Sequence, residues 1–320
     1  MLLNRREALK SALLLAPTAR SLGARVASPE RAPIHVHDEF SRLKTVLVHD
    51  ARNAEDIDIE DVERQPPELI AEHPETRLAR REQIIDQQRR FCDLIDHAGV
   101  QLVFPDPLET APSQIFTRDP SFVIDETLFL GALRDPCRRH EPTGLFSLCR
   151  EVQRPIDLHQ AETYIEGGDI FVLDRPRSLL IGTHRHTNQR GVRALTSHLP
   201  SNRPRVIVVP HHALHLDCCL APLPDGTALY VPGKLPESSV KALREVFPRM
   251  APIDRREGLL HLAANLFWLD PETVVSNLAA PITNRELRKR GYRVLAIEFS
   301  HITGIWGSFR CVTCPLVRAA

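Results

Sequence analysis

The chain carries no excess charge of either sign, since 41 lysines and arginines are matched by 41 aspartates and glutamates. It has no long basic run, so nucleic acid and anionic membrane surfaces are poor candidates for its main partner. Long hydrophobic runs are missing too. No apolar stretch approaches the ~20 residues that cross a bilayer, while a hydrophobic content of 42% is enough for a core, so the chain reads as soluble and globular. A disulfide framework is also absent. The seven cysteines (Cys92, Cys137, Cys149, Cys218, Cys219, Cys311 and Cys314) are odd in number and scattered through a long chain, unlike the even counts of short secreted scaffolds. Cys311 and Cys314 form a CxxC with no second pair near them, which argues against structural zinc or a thioredoxin-like centre. What remains fits an enzyme with a working thiol.

The N-terminus reads Asn4-Arg5-Arg6-Glu7-Ala8-Leu9-Lys10 followed by a short apolar segment. Twin arginines in that setting resemble a twin-arginine export signal and point to the periplasm. The alternative is an amphipathic tail on a cytoplasmic protein. Residues 1–31 are therefore set aside as signal or disordered tail, and residues 32–320 are read as one catalytic domain, a size within the range of single α/β domains.

That domain begins with the β-branched run Leu43 to Val48, read as a buried strand. An acidic, proline-bearing stretch follows from Asn53 to Glu75. It is too long for an ordinary connection and suits a lid over a pocket; Asp56, Asp58, Glu60, Asp61 and Glu63 could bind a cation, but charge runs mostly stay solvated. From Thr76 to Ala98 the apolar residues recur at three and four, predicting a helix stopped by Gly99. Extended runs then alternate with helical ones. The strands expected are Gln101 to Phe104, Ser121 to Ile124, Leu128 to Ala132, Asp169 to Leu173, Leu179 to Ile181, Val206 to Val209, Ala228 to Val231, Leu266 to Leu269, Val274 to Val275 and Val294 to Phe299. The later helices fall near Glu141 to Val152, Thr187 to His198, Glu237 to Phe247 and Asn284 to Arg290. Paired short strands between helices argue against a regular doubly wound sheet. A strand-strand-helix-strand module repeated around an axis fits, although no residue-level repeat is visible.

Polar constellations stand at the ends of these strands. Phe116-Thr117-Arg118-Asp119-Pro120 precedes one, where Asp119-Pro120 could be a plain turn. Glu166-Gly167-Gly168-Asp169 leads into another, its glycines permitting close backbone approach between acceptor-only carboxylates. His215-Leu216-Asp217 is expected on a strand, with His215 and Asp217 facing one side and Leu216 the other. Near the C-terminus, Gly307 to Pro315 (GSFRCVTCP) delivers Cys311 beside Arg310 at the start of an apolar run. An arginine or histidine neighbour favours the thiolate; the bland alternative is a buried core cysteine. A metal site of His211, His212, His215 and Asp217 is a further alternative, but it needs a helix where the pattern reads as strand.

Taken together, Asp119, Glu166 and Asp217 around a thiolate would repel an anionic substrate and suit a planar cation with several N–H donors. A guanidinium is such a cation, and carboxylates bind its fork of donors two at a time. With its charge held on the nitrogens, the central carbon is open to attack by Cys311.

The set FTRDPSFV (Phe116 to Val123), EGGD (Glu166 to Asp169), TNQRG (Thr187 to Gly191), HLD (His215 to Asp217) and GSFRCVTCP (Gly307 to Pro315) resembles the guanidino-group-modifying superfamily. Its members are arginine deiminases, dimethylarginine dimethylaminohydrolases and amidinotransferases, and the resemblance covers the chain from about Leu43 to Arg318. It implies a five-bladed α/β propeller of ββαβ modules, the pentein fold. By the same resemblance Cys311 matches the nucleophile that forms a covalent amidino-thioether, and His215 matches the general acid and base. Glu166, Asp119 and Asp217 match the acids that grip the guanidinium, and no metal or cofactor is implied. The product would be a ureido compound with ammonia or an amine. An amidinotransferase using the same intermediate, and a non-catalytic guanidino-binding protein, are the alternatives.

The sequence departs from the family pattern at one informative place. Relatives acting on arginine or methylated arginine carry an arginine just before the TNQRG-like threonine to hold the substrate's α-carboxylate; here that residue is His186, preceded by Arg185. A free α-amino acid substrate is thereby put in question, unless Arg138, Arg139 or Arg190 compensates. The expected partner is a small guanidino molecule, with no nucleic acid and no membrane span, and a homo-oligomer is compatible with the sequence.

Overall fold

The computed structural model describes residues 34–52, 57–58, 78–152, 155–174, 176–200 and 204–319. The twin-arginine segment lies outside these residues, as does the acidic stretch 53–75 apart from a two-residue pairing of Ile57–Asp58 with Leu78–Ala79.

Residues 32–320 form one compact unit, built from five three-stranded sheets that repeat one pattern. In each, two short strands form an antiparallel pair, a helix follows, and a third strand returns parallel to the second. Ser121–Ile124 pairs with Thr127–Leu130, the helix Phe146–Glu151 crosses over, and Ile156–Asp157 returns. The next sheet uses Ile170–Asp174, Arg177–Thr183, the helix Gln189–Ser197 and Arg205–Pro210. Leu220–Pro222, Thr227–Tyr230, the helix Glu237–Leu243 and Arg249–Pro252 form the third. Phe267–Asp270, Thr273–Asn277, the helix Pro281–Lys289 and Arg293–Ile297 form the fourth. The fifth joins distant parts of the chain. Its outer pair is the C-terminal strand Cys314–Arg318 against Leu43–Leu47, after which the helix Arg81–His97 leads to Gln101–Val103.

The connection in each module suits a parallel return, which needs a crossover rather than a tight turn. Helix Arg81–His97 shows why these sequences bury one face: Ile84, Gln87, Gln88, Phe91, Cys92 and Ile95 recur at helical spacing and are buried, as the sequence period predicts. The helix starts later than Thr76 because residues 78–79 are committed to a strand pair. It stops where expected, with Gly99 at φ +80°, the left-handed angle that glycine takes freely. Against it, Phe91 packs on Phe299 and Phe309 with ring centroids 5.5 and 5.3 Å away, and Phe299 stacks on Phe309 at 4.2 Å. This aromatic cluster anchors the turn that carries Cys311.

The structure corrects two expectations and places Cys311. His215-Leu216-Asp217 is not a strand: His215 is extended, but Leu216–Cys218 is a single 3₁₀ turn. Cys311 lies in the turn before the closing strand, which begins at Cys314. The stretch Glu141 to Val152 is split into a 3₁₀ segment, Glu141–Leu145, and the helix Phe146–Glu151. Among the described residues no helix is long and apolar enough to cross a membrane.

Candidate active site

The repeat places one polar turn ahead of the first strand of every module. Asp119 precedes Ser121–Ile124, Glu166 precedes Ile170–Asp174, and His215 with Asp217 precedes Leu220–Pro222. Asn265 precedes Phe267–Asp270, and Cys311 precedes Cys314–Arg318. All six side chains are buried, and they are tied to one another.

His215 is the hub. Its Nε2 is 2.8 Å from Glu166 Oε2 and its Nδ1 is 3.6 Å from Asp119 Oδ1. Burial disfavours the imidazolium, but the charge of Asp119 and the hydrogen bond to Glu166 outweigh it and raise His215 well above the ordinary histidine range. The partner shifts the opposite way. Burial alone would raise Glu166, yet its bonds to His186 and His215 hold the carboxyl far below the carboxylate range. Glu166 is fully engaged, since Oε1 meets His186 Nδ1 at 3.0 Å and accepts from the Arg134 amide at 3.0 Å. Asp119 is not: Oδ2 accepts from Arg138 at 2.9 Å, while the buried Oδ1 has no hydrogen-bond partner among the described residues.

Glycine is required beside this hub. A Cβ on Gly168 would fall 2.7–2.9 Å from His215 ring and Cβ atoms, so the GGD turn lets backbone lie flat against the imidazole. The TNQRG stretch works from behind. Thr187 Oγ1 accepts from the Glu166 amide at 3.2 Å, and Asn188 caps the helix Gln189–Ser197 by accepting from Gly191 N at 2.9 Å.

Cys311 is oriented by a residue the sequence did not single out. Asn265 Nδ2 donates to Cys311 Sγ at 3.2 Å and to the Asp217 carbonyl at 3.3 Å, while its Oδ1 accepts from the Arg310 and Cys311 amides at 2.8 and 3.3 Å. The Ala263-Ala264-Asn265-Leu266-Phe267 run reads as apolar core; only the position of Asn265 in the module repeat marks it. Cys218 also meets the Cys311 thiol, and that hydrogen bond, with burial and Asp217, pushes the Cys218 thiol well above its usual range. Gly307 opens the turn against the ring of Phe116, which any Cβ at that position would overlap.

Arg310 accounts for Asp217. Its guanidinium donates to Asp217 Oδ2 at 3.0 Å and to Glu39 Oε1 at 3.1 Å, and lies 4.0 Å over the Phe171 ring. Asp217 therefore already holds a guanidinium, that of the chain itself. Arg138 is likewise committed, to Asp119 and, through Nε and a terminal nitrogen, to both oxygens of Glu141 at 2.9 and 2.8 Å. Arg139 is exposed and bonds the Arg134 carbonyl at 3.2 Å, and Arg190 pairs at the surface with Glu162. Neither joins the cluster, because their side chains point to partners outside it.

The His211, His212, His215 and Asp217 grouping is not assembled as a ligand set. His211 bonds Asp169 at 2.9 Å and His212 is exposed. The groups whose donor atoms do converge, within 4.8 Å, are Glu166 with His186 and His215, and His215 with Asp217 and Cys218. In the first, a cation would have to displace the bonds Glu166 makes to both histidines.

Beside this cluster a cavity of about 330 Å³ is lined by His186, Cys218 and Trp306, and by the basic side chains Arg134, Arg185 and Lys234. His186 is 8% exposed and its ring meets His215 edge to face at 5.1 Å. Buried acids, a histidine and a cysteine beside a pocket can bind a planar cation and carry out nucleophilic and proton-transfer chemistry on it.

The family model described as "N,N dimethylarginine dimethylhydrolase, eukaryotic" matches residues 70–318, most of the chain. A relative from Bacillus subtilis, the uncharacterized protein YkgA, is 28% identical over 234 residues, covering 73% of this chain and 80% of that one. A DDAH from Pseudomonas aeruginosa, solved with citrulline, superposes with a TM-score of 0.70 at 20% identity, over 85% of this chain and 99% of that one. The N-terminal domain of ArgZ, an arginine dihydrolase from cyanobacteria, superposes with a TM-score of 0.72 at 17% identity, over 86% and 98%. Identities this low speak for the fold alone: the five modules are the five-bladed α/β propeller of the guanidino-modifying enzymes.

Proposed function

The chain belongs to the N,N dimethylarginine dimethylhydrolase family, and on that footing we propose that it hydrolyses a C–N bond of an arginine-like or N-methylated arginine-like guanidino compound through a covalent intermediate on Cys311. The observation that carries this reading is that the buried polar turns of the five modules supply Asp119, Glu166, His215, Asn265 and Cys311, with His215 bonded to Glu166 and paired with Asp119, and Asn265 tying the Asp217 carbonyl to the Cys311 thiol. A structural core has no need of a histidine between two carboxylates beside a thiol.

In the proposed reaction the substrate guanidinium donates to the open Oδ1 of Asp119, a buried acceptor without a partner. The Cys311 thiolate adds to the central carbon. His215, held protonated by Asp119 and Glu166, gives its proton to the departing nitrogen, which leaves as ammonia or an alkylamine. The neutral imidazole then takes a proton from water, hydroxide adds to the amidino-thioether, and the thiolate departs as the new hydroxyl gives up its proton to the released ammonia or amine, leaving a ureido product. Asn265 supports the sulfur as charge builds on it and as it leaves. Steady-state ureido formation with Cys311→Ala tests the role of the thiol: a rate lost to background with the fold intact supports the reading, and a rate near wild type removes it.

A further inference from the structure

The cavity meets the acid cluster through His186, which is bonded to Glu166, and through Cys218; much of the rest of its polar lining is a wall of donors. Arg134, Arg185 and Lys234 border it, and among the described residues none of these three side chains has a carboxylate partner. His184 and His212 stand beside them, rings edge to face at 6.0 Å. Trp306 also lines the cavity, and its indole Nε1–H is shielded from solvent and makes no hydrogen bond among the described residues. Its backbone sits at φ +68°, an angle bulky residues rarely take, and such strain is found where surrounding structure fixes a side chain for use. Among the described residues a single carboxylate, Asp135, is part of this lining, and its Oδ1 is taken up by the Cys137 amide and thiol at 3.2 Å each.

A cationic, donor-rich wall asks for a ligand end that is anionic and only accepts. It gives little to an α-ammonium, which would enter a field of its own sign. His186, also in the lining, has its Nδ1 spent on Glu166. Resting on the hydrolase reading above, we propose that the substrate is a guanidino acid, with the guanidinium at the acid cluster, a carboxylate or other oxyanion at the basic wall, and no α-ammonium. The cavity, about 330 Å³, is of the size that holds small organic ligands.

The test measures ureido product from the full chain with L-arginine, its des-amino counterpart 5-guanidinopentanoate, shorter guanidinoalkanoates, a guanidinoalkyl phosphonate, and agmatine, which lacks the carboxylate. The des-amino acid or the phosphonate is expected to exceed arginine in kcat/KM by about tenfold or more, with agmatine slowest, the effect of one ionic interaction made or opposed. The faster of the two identifies the oxyanion. Arg185→Glu with Lys234→Glu, or Arg185→Gln alone, should raise KM for the preferred acid about tenfold with little change in kcat. Arginine outpacing both acids, or agmatine equalling them, overturns the proposal and leaves the hydrolase reading standing. Ureido product from no member of the panel overturns the hydrolase reading, and the proposal falls with it.

Discussion

Replacing Asn265 by aspartate is the most informative single change at the thiol. The amide makes four hydrogen bonds, two donated by Nδ2 and two accepted by Oδ1. Aspartate keeps the acceptor for the Arg310 and Cys311 amides, so the turn is retained. The donor at 3.2 Å from Cys311 Sγ becomes a carboxylate oxygen facing the sulfur. Two negative charges at that separation repel by about 5 kcal/mol at an effective dielectric near 20. The site relieves this by keeping a proton on one of them, so thiolate becomes scarce. Alkylation of Cys311 by iodoacetamide at neutral pH should slow about 100-fold or more, and kcat/KM for ureido formation should fall with it. Asn265→Ala is the control for packing: it strands two amides and one carbonyl, at about 1–3 kcal/mol each before any water enters. If Asn265→Asp is alkylated and turns over at the wild-type rate, Asn265 has no part in supporting the thiolate.

Three further outcomes follow from the contacts. Gly168→Ala should displace the His215 ring, because its Cβ would sit 2.7 Å from it; turnover should drop at least tenfold for about 1–3 kcal/mol of stability, and unchanged kcat would mean the ring need not lie where it does. Glu166→Gln should cost roughly 3 kcal/mol where the buried pair is fully charged, measured by urea denaturation across pH. The lowered Glu166 contributes stability above its ordinary 4.5 that is lost as pH falls through its depressed folded value. The raised His215 contributes stability below its ordinary 6.5 that is lost as pH rises through its elevated folded value. The deficit of Glu166→Gln should therefore be greatest between those two pH values and shrink on both sides; a deficit flat with pH contradicts the pairing. Arg138→Met should lower stability by about 3–5 kcal/mol, since it leaves Asp119 and Glu141 buried without their cation, and an unaltered denaturation midpoint would show that the carboxylates find another partner.

The module pattern was legible because each hairpin strand is a short β-branched run and each helix keeps one apolar face. The elements that escaped notice are short or atypical. Arg249–Pro252 carries only two apolar residues before a proline, and Arg255–Leu260 and Ser300–Gly304 are too brief for a helical period to emerge. Alternation misled at His215-Leu216-Asp217, where a polar-apolar-polar triplet matches a strand face as well as it matches a 3₁₀ turn whose two polar residues reach different partners. The acids and the thiol stood out because charged residues at strand ends are costly to bury unpaired. Asn265 did not, because an uncharged amide in an apolar run resembles core. Which arginines are free also lay beyond the sequence: Arg138 and Arg310 are used up in internal ion pairs, whereas Arg134 and Arg185 are not, and only the packing distinguishes them.

The central claim is covalent chemistry at Cys311, and intact-protein mass spectrometry with peptide mapping tests it most directly. His215→Asn, which keeps the thiol but removes the base that activates water, is mixed with an S-methylisothiourea analogue of the preferred substrate, whose methanethiolate leaves without the proton His215 would give, and quenched in acid. The account predicts a mass gain equal to the amidino fragment, mapped to Cys311 and absent from Cys311→Ala. Turnover to ureido product by Cys311→Ala, or an adduct that maps to Cys218 instead, would contradict it.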